Sequence, residues 1–336
     1  MRLEKDEIEI LGGVRHGKTL GSPVAVLVRN TEWPKWEAEM NPLTGSPERP
    51  MTAPRPGHAD LSGMLKYDTH DARDILERAS ARETAARTVV GYFAKLLLAT
   101  LGVSVLSHVV EIGGIAAVGE NSPLPKLEDL ERIDASPVRV HDEAAERRIV
   151  EAIETAKADR DTLGGVVEVV VYGMPPGVGS HVHWDRRIDS LLAAGVMSIQ
   201  AIKGVEIGDG FAGSRIRGSK AHDEISHRSS DFVRATNRSG GIEGGMTTGA
   251  PIRVRAAMKP ISTLMRPLGT VDVTTKEPAE AFRERSDVVA VPAAGVVAEQ
   301  MVAIVLAREI QRQFGGDTVG DLVSAWKAYR KRLEQF

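Results

Sequence analysis

Ser80-Ala-Arg-Glu-Thr-Ala-Ala-Arg-Thr-Val-Val-Gly-Tyr-Phe-Ala-Lys-Leu-Leu-Leu-Ala-Thr-Leu-Gly102, followed at once by Val103-Ser-Val-Leu-Ser-His-Val-Val-Glu-Ile112, is the stretch from which the fold is read. Ser80-x-x-Glu83 fits a capping box, Ala86, Val89, Val90, Phe93 and Leu97 recur at helical spacing, and Gly102 stops the run. A buried helix is expected from Ser80, then a strand from Val103 to Ile112. Outward from this pair, Glu7 to Leu11, Pro23 to Val28, Gly164 to Tyr172 and Ile252 to Met258 read as strands. Helices are expected over Glu143 to Ala158, after Asp185 as a cap with Ile188, Leu191, Leu192 and Ile199 on its apolar face, over Ala293 to Phe314, and from Asp321 onward. The fold class is α+β. Thr31 to Gly57 carries six prolines and no helical period, so 31–57 is a candidate lid loop, and Arg215 to Arg238 reads as a polar loop. Gly17-Lys-Thr19-Leu-Gly21-Ser-Pro23 and Gly245-Met-Thr247-Thr-Gly249-Ala-Pro251 echo one another, each leading into a β-rich run. Chance turn chemistry is the competing explanation for an internal duplication.

A hydrophobic content of 42% over 336 residues is ample for a sizeable core. The formal net charge of -3 gives no global field for nucleic acid, so an anion site must be built from local arginines. Without cysteine there is no disulfide, zinc-thiolate site or thiol nucleophile. The chain opens without an apolar signal segment, and Val288 to Ala307 is broken by Pro292, Gly295 and Glu299. A cytoplasmic protein with no membrane or nucleic-acid partner is expected.

Arg55-Pro-Gly-His-Ala-Asp60 places a histidine in a turn, and Arg55, Arg78, Arg82 and Arg87 gather around the start of the helix that follows. Arginines clamp phosphate or carboxylate oxygens two at a time, so the region reads as a site for a small polyanion. Gly12-Gly-Val-Arg-His-Gly17-Lys18-Thr19 matches the phosphate-binding P-loop pattern. A strand-breaking Gly21-Ser22-Pro23 replaces the required helix, which leaves a nucleotide phosphotransferase as the alternative. His181-Val-His183-Trp-Asp185 lacks evident third and fourth metal ligands, so no metal site is assigned. Asn237 to Met246 is glycine-rich enough to approach a flat ligand. Lys259-Pro-Ile-Ser-Thr263 offers a cation and two hydroxyls, and Arg285-Ser-Asp287 sets a cation beside a carboxylate.

Gly13-Val-Arg-His-Gly17, Arg55-Pro-Gly-His-Ala-Asp60, Ala79-Ser-Ala-Arg-Glu-Thr84, Ile202-Lys-Gly-Val-Glu-Ile-Gly-Asp-Gly-Phe211, Gly240-Gly-Ile-Glu-Gly-Gly245 and Arg285-Ser-Asp287, in this order, resemble the chorismate synthase family from about Lys5 to about Phe314. The resemblance implies a β-α-β sandwich with a helical core between antiparallel sheets, a single domain over 1–336, and a homotetramer. It implies a lyase that takes 5-enolpyruvylshikimate 3-phosphate to chorismate and phosphate with reduced FMN, in aromatic amino acid biosynthesis, with NADPH as a candidate reductant. It points to His58 and Asp287 as catalytic and to Arg55 and Arg82 as substrate-binding. Arg78, Ala79, Ser80, Gln200, Ala201, Gly244, Lys259, Pro260, Ile261, Ser262, Thr263 and Arg285 become the cofactor contacts. Family members begin with a strand bearing Gly-Glu-Ser-His-Gly and an arginine-rich segment. Met1-Arg-Leu-Glu-Lys aligns after these, so reduced turnover, or a silent relative, is an expectation for the chain as written.

Overall fold

A computed structural model describes residues 6–119, 122–228, 231–284 and 286–336. The chain divides into two compact units, Met1–Ala86 with Gly269–Phe282, and Arg87–Leu268 with Arg283–Phe336. The boundary between them falls inside the helix Glu83–Thr100, and the first unit includes the distant segment Gly269–Phe282.

The second unit is built on a five-stranded antiparallel sheet. Its order is Ile115–Ala116, Ser104–Ile112, Gly165–Tyr172, Ile252–Met258, Ile202–Ile207. Val167, Val169 and Val171 alternate with Ile252, Val254 and Ala256 on one face, and all six are buried. Against the Ser104–Ile112 and Gly165–Tyr172 strands lies the helix Val291–Phe314, which begins two residues earlier than its apolar period suggests and has Pro292 in its first turn. Val302, Ala303, Leu306 and Ile310 are buried in the same core. The valine, leucine and isoleucine among them each contribute roughly 1.5–3 kcal/mol relative to exposure. This is a described helix long and apolar enough to cross a membrane, and its burial makes it the core helix of the unit. The helix Ile188–Met197 packs beside it at a glycine: a Cβ on Gly195 would meet Val305 Cγ2 at 2.9 Å. Helices lying on antiparallel sheet make the class α+β, as the sequence reading has it.

The first unit carries a two-stranded pair, Ile8–Gly12 with Ala25–Val28, and a ribbon, Gly269–Val271 with Pro278–Glu280. Two helices, Asp60–Tyr67 and Arg73–Ala79, surround a small core of Met64, Ala72 and Ile75, with Met51, Val273 and Phe282 against it. The 31–57 stretch is not uniform. Trp33–Trp36 is one helical turn and residues 41–50 are exposed. Residues 51–55 are strapped down: the carbonyl of Thr52 accepts from the Val273 amide at 2.9 Å and the carbonyl of Pro54 from the Thr270 hydroxyl at 2.7 Å.

The two glycine turns share one backbone conformation. Val14–Arg15 pairs with Lys18–Thr19, and Ile242–Glu243 pairs with Met246–Thr247, each as a two-residue hairpin. Left-handed φ recurs at Gly13 and Gly241 (82° and 76°), His16 and Gly244 (51° and 59°), Gly17 and Gly245 (75° and 86°), and Gly21 and Gly249 (78° and 91°). The Leu20 amide donates to Gly13 O at 3.0 Å, and the Thr248 amide to Gly241 O at 2.9 Å. Each turn then passes through Pro23 or Pro251 into a strand. Shared dihedrals and a shared closing bond at aligned positions favour duplication over chance. They also remove the P-loop: Gly17-Lys18-Thr19 is hairpin, with strand on both sides and no helix N-terminus for a nucleotide phosphate.

Candidate functional site

In the first unit the site grows from a turn. Arg55-Pro56-Gly57-His58 closes through the His58 amide to the Arg55 carbonyl at 3.3 Å, with Pro56 second and Gly57 at φ 77° third, the type II pattern. The chain then enters Asp60–Tyr67, whose first residue turns its carboxylate back onto the turn. Asp60, fully buried, accepts from the Arg55 amide at 3.1 Å, from Arg55 Nε at 2.9 Å and Nη2 at 3.2 Å, and it pairs with His58 Nδ1. Arg55, only 5% exposed, also lays its guanidinium 4.5 Å from the Phe282 ring centroid. Burial alone would raise the Asp60 carboxyl. The hydrogen bonds from His58 and Arg55 outweigh it and lower the pKa from 3.8 to about 2. With Nδ1–H directed at Asp60, His58 is held in one tautomer, and its Nε2 accepts from Arg55 Nη2 at 3.3 Å. A carboxylate that orients an imidazole is a proton-handling arrangement.

The neighbouring arginines divide. Arg78 and Ala79 end the helix Arg73–Ala79, and Ser80 is its extended C-cap, where the sequence suggests a turn at the start of the next helix. That helix starts at Glu83, and Ser80 Oγ accepts from the Arg82 amide at 3.2 Å. The Arg82 side chain donates to Asp6 Oδ1 at 2.6 Å and to the Arg29 carbonyl at 3.2 Å. Arg87 belongs to the second unit, where it caps the end of Ile188–Met197 through the Ser198 carbonyl at 3.2 Å and hydroxyl at 2.8 Å.

In the second unit, Gln200, Ala201 and Lys259 to Thr263 are brought together, since the Lys259 amide donates to the Ala201 carbonyl at 3.0 Å. Ala201 is left-handed at φ 66°. Burial first, and the charge of Lys203 second, push the Lys259 ammonium below its ordinary pKa. Ile261 accepts at its carbonyl from the Thr162 hydroxyl at 2.8 Å, which fixes the segment. Gly244 stands at an exposed hairpin tip where an added Cβ would meet nothing within 4 Å. Below it, the Gly245 carbonyl accepts from the amides of Ser180 (3.2 Å) and Ile188 (2.9 Å), and Glu243 is gripped by Arg234 at 2.8 and 2.7 Å. Asp287 is exposed, just before Val288 and Val289 join Leu163. Arg285 lies outside the described residues. Asp185 does not cap its helix: it sits in a 3₁₀ turn, Trp184–Arg186, and Arg187 is the N-cap.

Two features escaped sequence reasoning. One is the role of Asp60, quoted in its motif but unassigned. The other is Glu168, a carboxylate inside Val166-Val-Glu-Val-Val170. It is buried in the sheet and reached by His108 Nε2 at 3.2 Å, Arg253 Nη2 at 3.1 Å and Arg255 Nε at 2.7 Å. A lone acid in an apolar strand was the available signal. Burial pushes it up, but His108 and the two arginines lower it from 4.5 to about 2.

A model of the family described as chorismate synthase matches residues 1–310. The chain belongs to the chorismate synthase family. A chorismate synthase of Acidothermus cellulolyticus is 59% identical over 342 residues, covering 99% of this chain and 87% of the relative. One from Salinispora tropica is 60% identical over 328 residues, covering 95% and 83%. A crystal structure of a chorismate synthase, 40% identical, superposes with a TM-score of 0.80 over 98% of this chain and 86% of that one. The activity is that of the family, a shikimate-pathway lyase. The phosphotransferase and silent-relative alternatives draw no support.

Proposed function

We propose that this chain eliminates phosphate from 5-enolpyruvylshikimate 3-phosphate with reduced FMN bound, using His58 and Asp287 as its proton-handling groups. The observation that carries the reading is the imidazole of His58, held in one tautomer by the buried Asp60. The substrate loses a ring proton and its allylic phosphate across a 1,4 relationship, with no net redox change. Reduced FMN, when bound, supplies a transiently shared electron that weakens the allylic C–O bond. Arg55 and Arg82 are the substrate cations, matched to two carboxylates and a phosphate. Arg55 already aims one Nη at His58. His58 exchanges a proton at Nε2, and Asp287 assists removal of the ring proton.

The residues of the second unit fit a flavin nucleotide. Gly244 offers accessible backbone in open space, Ala201 turns sharply, and Lys259 with Ser262 and Thr263 offers an ammonium and hydroxyls to an anionic tail. By the family resemblance, Arg78, Ala79, Ser80, Gln200, Pro260, Ile261 and Arg285 are the remaining proposed contacts. NADPH as reductant, a lid at 31–57, a homotetramer and a cytoplasmic location belong to the same reading.

Oxidised FMN with the enolpyruvyl substrate should raise the melting temperature of this chain, while Mg-ATP should not. His58→Ala should lower phosphate release by about 10²–10⁴-fold with FMN affinity retained. Unchanged turnover in that variant would remove His58 from the mechanism.

A further inference from the structure

Lys203 is the extra residue of a β-bulge. Where Ile252–Met258 pairs with Ile202–Ile207, Ala257 faces Gly204 and Met258 faces Ile202, so Lys203 has no partner across the ladder. A bulge bends its strand and re-aims a side chain, and bulges recur beside active sites. Immediately before it, Ala201 is left-handed, and the Lys259 amide closes onto its carbonyl at 3.0 Å. Two ammonium-bearing residues therefore sit at the same end of the same strand pair. They are close enough for the charge of Lys203 to act on Lys259. Lys203 is exposed, and Glu206, the carboxylate on its own strand, accepts from the Phe211 amide at 3.0 Å. Two adjacent cations repel, and a dianion bound between them adds two attractions that outweigh that repulsion.

We propose that Lys203 is the second cation of a seat for a phosphate monoester, joining Lys259 to hold the phosphate of flavin mononucleotide. The inference rests on the reading of Lys259 to Thr263 as flavin contacts. An ammonium is a compact charge with three donors, suited to a dianionic group rather than to a flat ring edge. The Ser262 and Thr263 hydroxyls follow Lys259 directly. The enolpyruvyl substrate carries a phosphate monoester too, so the test separates the two sources.

Oxidised FMN, riboflavin and the substrate are titrated by calorimetry into the wild-type chain, K203Q, K203R and K259Q. In K203Q, FMN should bind about tenfold more weakly, equivalent to about 1.4 kcal/mol. Riboflavin and substrate should bind as in wild type, and K203R should recover most of the FMN affinity. Three results overturn the proposal: unchanged FMN affinity in K203Q, weakening of the substrate alone, or equal weakening of FMN and riboflavin. Loss of FMN affinity in K259Q but not in K203Q sinks this inference and leaves the flavin reading standing. Neither variant affecting FMN sinks both.

Discussion

Asp60 decides what the Arg55-Pro-Gly-His turn can do. Its carboxylate neutralises a buried guanidinium and orients an imidazole at once. Asp60→Asn keeps the volume but leaves Arg55 buried beside a neutral amide. Breaking a buried pair from one side costs about 3 kcal/mol, so the urea midpoint should fall clearly. The amide also fixes the His58 tautomer less well, and phosphate release should drop at least tenfold at a pH where the variant is folded. A variant as stable as wild type would show that Arg55 finds another counter-charge. The turn itself was legible, because Pro-Gly at its centre has one low-energy geometry. Asp60 was not, since its meaning depends on burial, which residue spacing does not report.

The pairing of elements turns on close approach at glycine. Gly91 of Glu83–Thr100 lies against Val291–Phe314, where a Cβ would meet Gln300 Cβ at 2.2 Å and Cα at 2.8 Å. Gly91→Ala should therefore destabilise by about 1–3 kcal/mol despite the better helix propensity of alanine, as read by denaturant unfolding. A gain in stability would mean that the two helices can separate at little cost. Long helices and core strands were readable because their apolar periods run for many residues. Short elements were not. Asp60–Tyr67 has no side-chain cap and contains Gly63, where a Cβ would come within 2.5 Å of Ile75 Cγ2, so packing overrides propensity there. The hairpin Ile225–Arg228 with Asp231–Arg234, inside the stretch expected to be polar loop, shows large apolar residues outward at Ile225 and Phe232. Strand pairing holds it, and no inward apolar stripe marks it in the sequence.

Across the whole chain, Asp60 and Glu168 are the carboxyls held at about 2, one in each unit. Both carboxyls are lowered to about 2 in the folded state, from 3.8 and 4.5. The unfolded chain therefore takes up protons that the folded chain refuses. The stability these groups supply is complete above about pH 5 and is lost as pH falls toward 2. Denaturant midpoints measured from pH 7 to pH 2.5 should stay level with respect to these two groups and then decline. Asp60→Asn should show a shallower decline, and an identical slope in the variant would assign the acid limb elsewhere. No local pattern in the sequence could announce two units, because the boundary lies inside one continuous helix. The echo between their glycine turns was visible in residue types, and the dihedrals at its positions are what separate it from coincidence.

That echo lets one molecule serve as its own alignment. Gly13 and Gly241, Gly17 and Gly245, Thr19 and Thr247, Gly21 and Gly249, and Pro23 and Pro251 are the same in both copies. At the glycines of this set the left-handed backbone dictates the residue. Arg15 and Glu243, His16 and Gly244, and Lys18 and Met246 differ. The hairpin tolerates change there, so chemistry is free to diverge: one copy shows two cations around an imidazole, the other an acid, a bare backbone and a thioether. Exchanging residues at those three positions alone would transplant surface chemistry from one half of the chain to the other on a scaffold that both halves already share.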